Sequence, residues 1–195
     1  EGFSQAVDFS IPQKNVSTVF YDYPQGREFE WELTSEPLTT VKSVQGDSIT
    51  GHLLHSYNRS DDTGMLLALP IKGLAPNSTY QGEFDITIAT NVNNMCYGIG
   101  GAPHSVYVKA GLSIEKPKQV LFEGDEHYRL NIDLGNNGAD GKSGFTLGDI
   151  GSDTLEDCDP SSDIYELKNF TSTEQENLIS IDTDDRGVAY LSIAT

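Results

Sequence analysis

The stretch TYQGEFDITIAT, residues 79–90, sets Tyr80, Gly82, Phe84, Ile86 and Ile88 on one side and Gln81, Glu83, Asp85 and Thr87 on the other. A backbone whose successive side chains point to opposite faces gives that separation, whereas a turn of 3.6 residues would scatter the same side chains around a cylinder. The segment therefore reads as a strand with one dry and one wet face. Pro76 and Asn77, just ahead of it, are turn formers.

The same rhythm extends outward. SVYVKAGLSIE, 105–115, puts Val106, Val108, Ala110, Leu112 and Ile114 on one face, and EFEWELT, 28–34, puts Phe29, Trp31 and Leu33 opposite Glu28, Glu30 and Glu32. VSTVFYDY, SITGHLLHSY, GMLLALPI, HYRLNIDL, NLISID and GVAYLSIAT are further strand candidates, punctuated by YPQG, SDDTG, EKPK and DDRG. No segment carries a sustained helical stripe. The expected fold is all-β, two antiparallel sheets packed as a jelly-roll sandwich, in a single domain over 1–195. One region, 135–162 (GNNGADGKSGFTLGDIGSDTLEDCDPSS), lacks strand rhythm and reads as a long excursion.

Thirty acids against twelve bases in 195 residues give a formal charge of -18, a field that repels nucleic acid. From Asp149 onward there are twelve carboxylates and only two bases, Lys168 and Arg186, so the acidity is concentrated at one end of the chain. No apolar run reaches the roughly 18 residues that a membrane span needs, so no transmembrane segment is expected. A first residue Glu1 fits a processed export product. Two cysteines in an acidic, loop-rich chain predict one disulfide, Cys96 to Cys158, formed in an oxidising compartment. The expected location is periplasmic, outer-membrane-anchored or extracellular.

Chemistry-bearing patterns are sparse. Gly98, Ile99, Gly100 and Gly101 resemble a phosphate loop only in composition, since Pro103 and a strand follow where a helix and a Lys-Ser/Thr pair should stand. The run reads as a corner pinned by Cys96. His52 and His55 are three apart in a strand and so face opposite ways, which does not make a metal pair. No G-x-S-x-G elbow occurs. The two acidic loops offer oxygen donors of the kind a hard cation takes, and Asp133, Asn136, Asp140, Asp149 and Asp153 are the candidate ligands for a structural calcium ion. Neither loop has EF-hand spacing: Gly135 stands where the third-position ligand belongs. Tyr21, Tyr23, Tyr57 and Tyr97 are candidate stacking surfaces for a ligand, while Trp31, alternating with Phe29 and Leu33, belongs to the core.

Two resemblances attach to these residues. LAPNSTYQGEFDITIAT resembles a strand of carbohydrate-binding modules with the galactose-binding-like jelly roll. More broadly, GLAPNSTYQGEFDITIATN, CYGIGGAPHSVYVKAG, YRLNIDLGNNG, LGDI, YELK and DDRGVAYLSIAT together resemble an uncharacterised family of exported, lipoprotein-like bacterial proteins. That resemblance implies an envelope or secreted location and carries no catalytic residues. Members continue past the SIAT-like strand, so a chain stopping at Thr195 would leave an open sheet edge or differ in topology.

The expected function is non-catalytic binding of a glycan or other cell-surface ligand, with no catalytic machinery. A polysaccharide hydrolase or lyase working through two carboxylates is one alternative. A structural or adhesion module of the cell envelope is the other.

Overall fold

In the computed structural model, residues 4–59, 62–97, 101–159, 162–172 and 178–195 are described. The first half of the chain forms β1 (Ser17–Tyr21), β2 (Tyr23–Pro24), β3 (Thr34–Ser43), β4 (Ser48–His55), β5 (Gly64–Lys72), β6 (Thr79–Gly82) and β7 (Asp85–Thr90). The second half forms β8 (Tyr107–Ser113), β9 (Gln119–Val120), β10 (His127–Leu130), β11 (Gly144–Asp149), β12 (Ile164–Thr171), β13 (Ile179–Asp182) and β14 (Val188–Ala194). The fold is an all-β sandwich.

One layer is a five-stranded antiparallel sheet in the order β1-β5-β14-β8-β11. Facing it lie the four-stranded sheet β4-β3-β12-β7 and the pair β13-β6, while β2-β10-β9 forms a small third sheet. The pairs are antiparallel except β12 with β3, where Ile164 and Tyr165 meet Lys42 and Ser43 in parallel. Burial along 79–90 follows the alternation residue by residue: Phe84 and Ile86 are buried, and Gln81, Glu83, Asp85 and Thr87 are exposed. Phe84 and Ile86 join Ala110, Leu112, Phe145 and Ile179 in the main core, with the Phe84 and Phe145 rings edge to face at 5.5 Å.

The five-stranded sheet is dry on both faces. Behind it, Val19, Leu66, Ala68, Leu134 and Ala194 form a second apolar cluster. β8 is accordingly buried from Val108 to Ser113 without alternation. Gly111 and Gly144 are cross-strand partners, and a Cβ on either would come within 2.7 Å of Leu134 Cδ2, so the two glycines form the trough that lets Leu134 lie flat on the sheet.

Three expectations are corrected here. EFEWELT is no strand: Glu28–Glu30 make one turn of 3-10 helix and Glu32 has φ 47°, which leaves Phe29 77% exposed and breaks the row Glu28, Glu30, Glu32. The turn is held by the Arg27 to Glu30 ion pair at 2.7 Å, and Trp31 turns inward to donate its indole N–H to Thr63 Oγ1 at 2.7 Å. Second, the stretch without strand rhythm contains β11, which pairs with β8 along its length. Third, of the two outcomes expected past the SIAT-like strand, an open sheet edge or a different topology, β14 does not give the first: it is hydrogen-bonded to β5 on one side and β8 on the other.

Candidate functional site

Among the segments that carry the chain from one layer to the other, 91–106 joins β7 to β8 and 150–163 joins β11 to β12. They run side by side, with Asn93 and Ser152 bridging in parallel and backbone bonds from Ser152 N to Val92 O (2.8 Å) and Asn94 N to Ser152 O (3.0 Å). Cys96 lies in the first and Cys158 in the second; they are disulfide-bonded, with Cα atoms 5.4 Å apart. The tight turn before Cys96 is closed by Cys96 N to Asn93 O at 3.0 Å and Met95 N to Asn93 Oδ1 at 2.6 Å. Asn93 Nδ2 also donates to Leu155 O, and Asn94 Nδ2 to Asp153 Oδ1.

On this fixed base stands Tyr97, 76% exposed, with exposed Met95 beside it. An aromatic ring in water on a backbone fixed just ahead of it, at Asn93 to Cys96, is a stacking surface that loses little freedom when it meets a ligand. Gly98, Ile99 and Gly100 lie outside the described residues; Gly101 has φ +88°, a left-handed conformation that glycine adopts without strain.

The other three candidate tyrosines are elsewhere. Tyr57 is 46% exposed, and the Arg59 guanidinium covers one face of its ring at 4.5 Å. Tyr23 is a core residue, 4% exposed, packed between Trp31 and Tyr128 with its hydroxyl accepting from Gln119 Nε2 at 2.6 Å. Tyr21 packs against the rear cluster, its ring filling the space beside Gly64, and burial pushes its phenol well above the usual tyrosine range. Neither Tyr21 nor Tyr23 presents a face to a ligand. Their period-two position pointed to a strand, but the sequence does not say which of its faces is covered.

The acids set down for a cation bond mainly to backbone amides and to lysines. Asp133 Oδ1 accepts from Gly135 N (3.0 Å) and Oδ2 from Lys142 N (3.2 Å), while Asp140 Oδ1 accepts from Thr146 N (2.9 Å). Between them sits the ammonium of Lys109, a side chain on a residue only 6% exposed, donating to Leu134 O (3.2 Å), Ala139 O (2.8 Å) and Thr146 Oγ1 (3.2 Å). Burial lowers the Lys109 pKa, and Asp140 and Asp133 pull it back up. Asn136 is exposed and contributes its carbonyl to Ala139 N. In the second loop Lys168 Nζ donates to Asp149 O (2.8 Å), to Gly151 O and to Asp149 Oδ1 (3.3 Å), while Asp153 is bonded by Asn94. The five candidate ligands thus divide between two loops, each closed on a lysine ammonium of the chain itself. Among the described residues no group of three or more His, Cys, Asp or Glu side chains gathers as a metal set would.

One polar chain went unnoticed in the sequence. Thr18 Oγ1, Ser35 Oγ and His52 Nε2 are linked at 2.6 and 2.8 Å, joining β1, β3 and β4 beside a shallow groove of about 160 Å³ bordered by Phe9, Ile11, Val16 and Leu38. Burial lowers the His52 pKa, which keeps the imidazole neutral near pH 7. A Ser-His pair is the start of a nucleophilic site, but among the described residues no carboxylate orients the ring. The chain ties the two layers together at their β1 edge. Comparisons with protein-family models, curated proteins and solved structures found no match.

Proposed function

We propose that the protein is an exported, non-catalytic binding domain whose ligand is a glycan or another cell-surface molecule, met at the stapled loop around Tyr97. The observation that carries this reading is a largely exposed aromatic ring on a turn fixed by a disulfide and by bonds from Asn93 and Asn94. Sugars present apolar C–H faces that stack on such a ring, and a rigid ring forfeits little entropy on binding. The disulfide supports export, since such bonds persist in oxidising compartments. The resemblance of 74–90 to carbohydrate-binding modules supports the choice of a sugar.

A glycan array probed with and without calcium, using the wild type and Tyr97→Ala, tests the reading. Loss of the ring is expected to weaken the bound glycan about tenfold, the equivalent of roughly 1.4 kcal/mol, with no change in thermal melting because the residue is 76% exposed. Product release would place the protein among the polysaccharide hydrolases or lyases instead, and silence across the array would favour a structural role in the envelope.

A further inference from the structure

A second groove lies just past the Ser113 end of β8. It has a volume of about 280 Å³ and is bordered by Lys116, Lys118, Arg186, Asn131 and Tyr190, with Glu115 at its rim. In a chain with only twelve bases, three converge here.

Their placement is fixed. Pro117 is fully buried, so Lys116 and Lys118, two apart in an extended segment, both project into solvent on the opposite side, their Cα atoms about 6.6 Å apart. Asn131 locks that segment from three directions: Lys118 N donates to its Oδ1 at 2.7 Å, its Nδ2 donates to Lys116 O at 3.2 Å, and its N–H donates to Lys118 O at 3.1 Å. Neither ammonium has an ion-pair partner among the described residues. Arg186 is held by Asp184, whose Oδ2 accepts from Nε at 2.7 Å and stands 2.6 Å from the nearer terminal nitrogen. The far side of the guanidinium remains turned to solvent, and Tyr190 on β14 supplies a half-buried ring between the two sides. Asp184 and Asp185 offset Arg186 and Glu115 stands at the rim, so the positive charge turned to solvent is that of the Lys116 and Lys118 ammonium groups.

We propose that this groove binds a sugar carboxylate, that is, a uronic-acid-bearing glycan, with Lys116 and Lys118 on the carboxylate and Tyr190 against the ring. It rests on the preceding reading only in taking a sugar as the ligand. The charge distribution selects among anions. At physiological salt, charges act over about 8 Å, so a short ligand feels the lysines and little of the molecule's -18. A nucleic acid, with a charge every 1.7 Å or so, would extend from the groove over acidic surface and be repelled. A uronate chain carries one carboxylate per sugar, a sparser row of charges, so the acidic surface repels it less than it repels a nucleic acid.

The test is calorimetric titration of the full chain with tetragalacturonate, with its fully methyl-esterified counterpart, and with inorganic phosphate. The acid is expected to bind roughly tenfold or more tightly than the ester, and its affinity to fall as salt is raised. The Lys116→Gln, Lys118→Gln double variant should lose that advantage while melting as the wild type does. Lys14→Gln and Tyr97→Ala should keep it. Equal binding of acid and ester, an unaffected double variant, displacement by phosphate at equal concentration, or no binding of the acid would each overturn the proposal. Uronate binding with a silent neutral-glycan array would leave this inference standing and sink the Tyr97 reading; the reverse result would do the opposite.

Discussion

Lys109 stands on the strand position where alternation leads one to expect solvent, yet segment 130–134 covers that face and takes the water away. An ammonium left in such a place without acceptors would be untenable, and the chain supplies two carbonyls and a hydroxyl around it. Removing it exposes the reciprocal problem, because Leu134 O and Ala139 O lose a charged donor and Asp133 and Asp140 lose the nearest positive charge. Lys109→Met fills the same volume without the charge. It is expected to cost about 3 kcal/mol, since acceptors stripped of a charged donor bear the full desolvation penalty. In a chain of this size that lowers the melting temperature by roughly 10 °C. Thermal melts of Lys109→Met beside Lys14→Met, an exposed control, check it; equal melting of the two would show that the ammonium does not hold the loop. This role was not legible in the sequence. Alternation marks two faces, and nothing in a single strand says that both will be covered.

At the level of elements, legibility followed side-chain contrast. Strands with bulky apolar residues against charged ones, such as β7, or with long β-branched and leucine-rich runs, such as β5 and β14, were readable because the core needs that contrast. β11 was missed for the opposite reason: it works through absent side chains, with Gly144 admitting Leu134 and Gly148 admitting the Phe170 ring, and glycine reads as a turn signal. EFEWELT was over-read, since its ideal alternation is overridden by a left-handed Glu32 and by the inward pull on Trp31. In the small sheet β2-β10-β9, HYRLNIDL marks β10, whereas β2 and β9 are two residues each and too short to read, and the sheet is clamped by charge. Arg129 on β10 reaches Asp125 Oδ2 at 2.8 Å and Asp22 Oδ1 at 3.0 Å. The two carboxyls respond oppositely: hydrogen bonds from Arg129 hold Asp125 below the usual 3.8, whereas burial holds Asp22 above it despite the same guanidinium. Asp125 therefore contributes stability above pH 3.8 that is lost as pH falls through its folded value. Asp22 contributes stability below 3.8 that is lost as pH rises through its own. Carboxyl carbon NMR titration should find Asp22 protonating at higher pH than Asp125, and both midpoints should rise in Arg129→Gln. The reverse order of the two would refute the assignment of burial as the dominant influence on Asp22.

Across the whole molecule, the disulfide joins two layer crossovers that run in contact, so its constraint falls on how the layers are connected and not on the core of either. The Cys96–Cys158 pairing was legible from two thiols; that they would meet where 91–106 and 150–163 cross between layers was not, because β11 and β12 had to be placed first. A cross-link over 62 residues removes unfolded-chain entropy equivalent to about 4 kcal/mol in the loop-closure estimate. The native hydrogen bonds are distributed differently. β14 is paired with β5 along its whole length and with β8 from Tyr190 to Ala194, whereas the crossovers rest on a few bonds around Asn93 and Ser152. In the Cys96→Ser, Cys158→Ser double variant the global unfolding free energy should drop by about that 4 kcal/mol. Local opening should take a separate course. The amides of Asn94, Cys96 and Ser152 should exchange with deuterium by a local route well before those of Leu67, Leu191 and Ile193, whose protection should track global unfolding alone. If the crossover amides stay as protected as the sheet amides after the bond is removed, the turn beneath Tyr97 is rigid without the disulfide. The order of that turn would then rest on the hydrogen bonds of Asn93, Asn94 and Ser152.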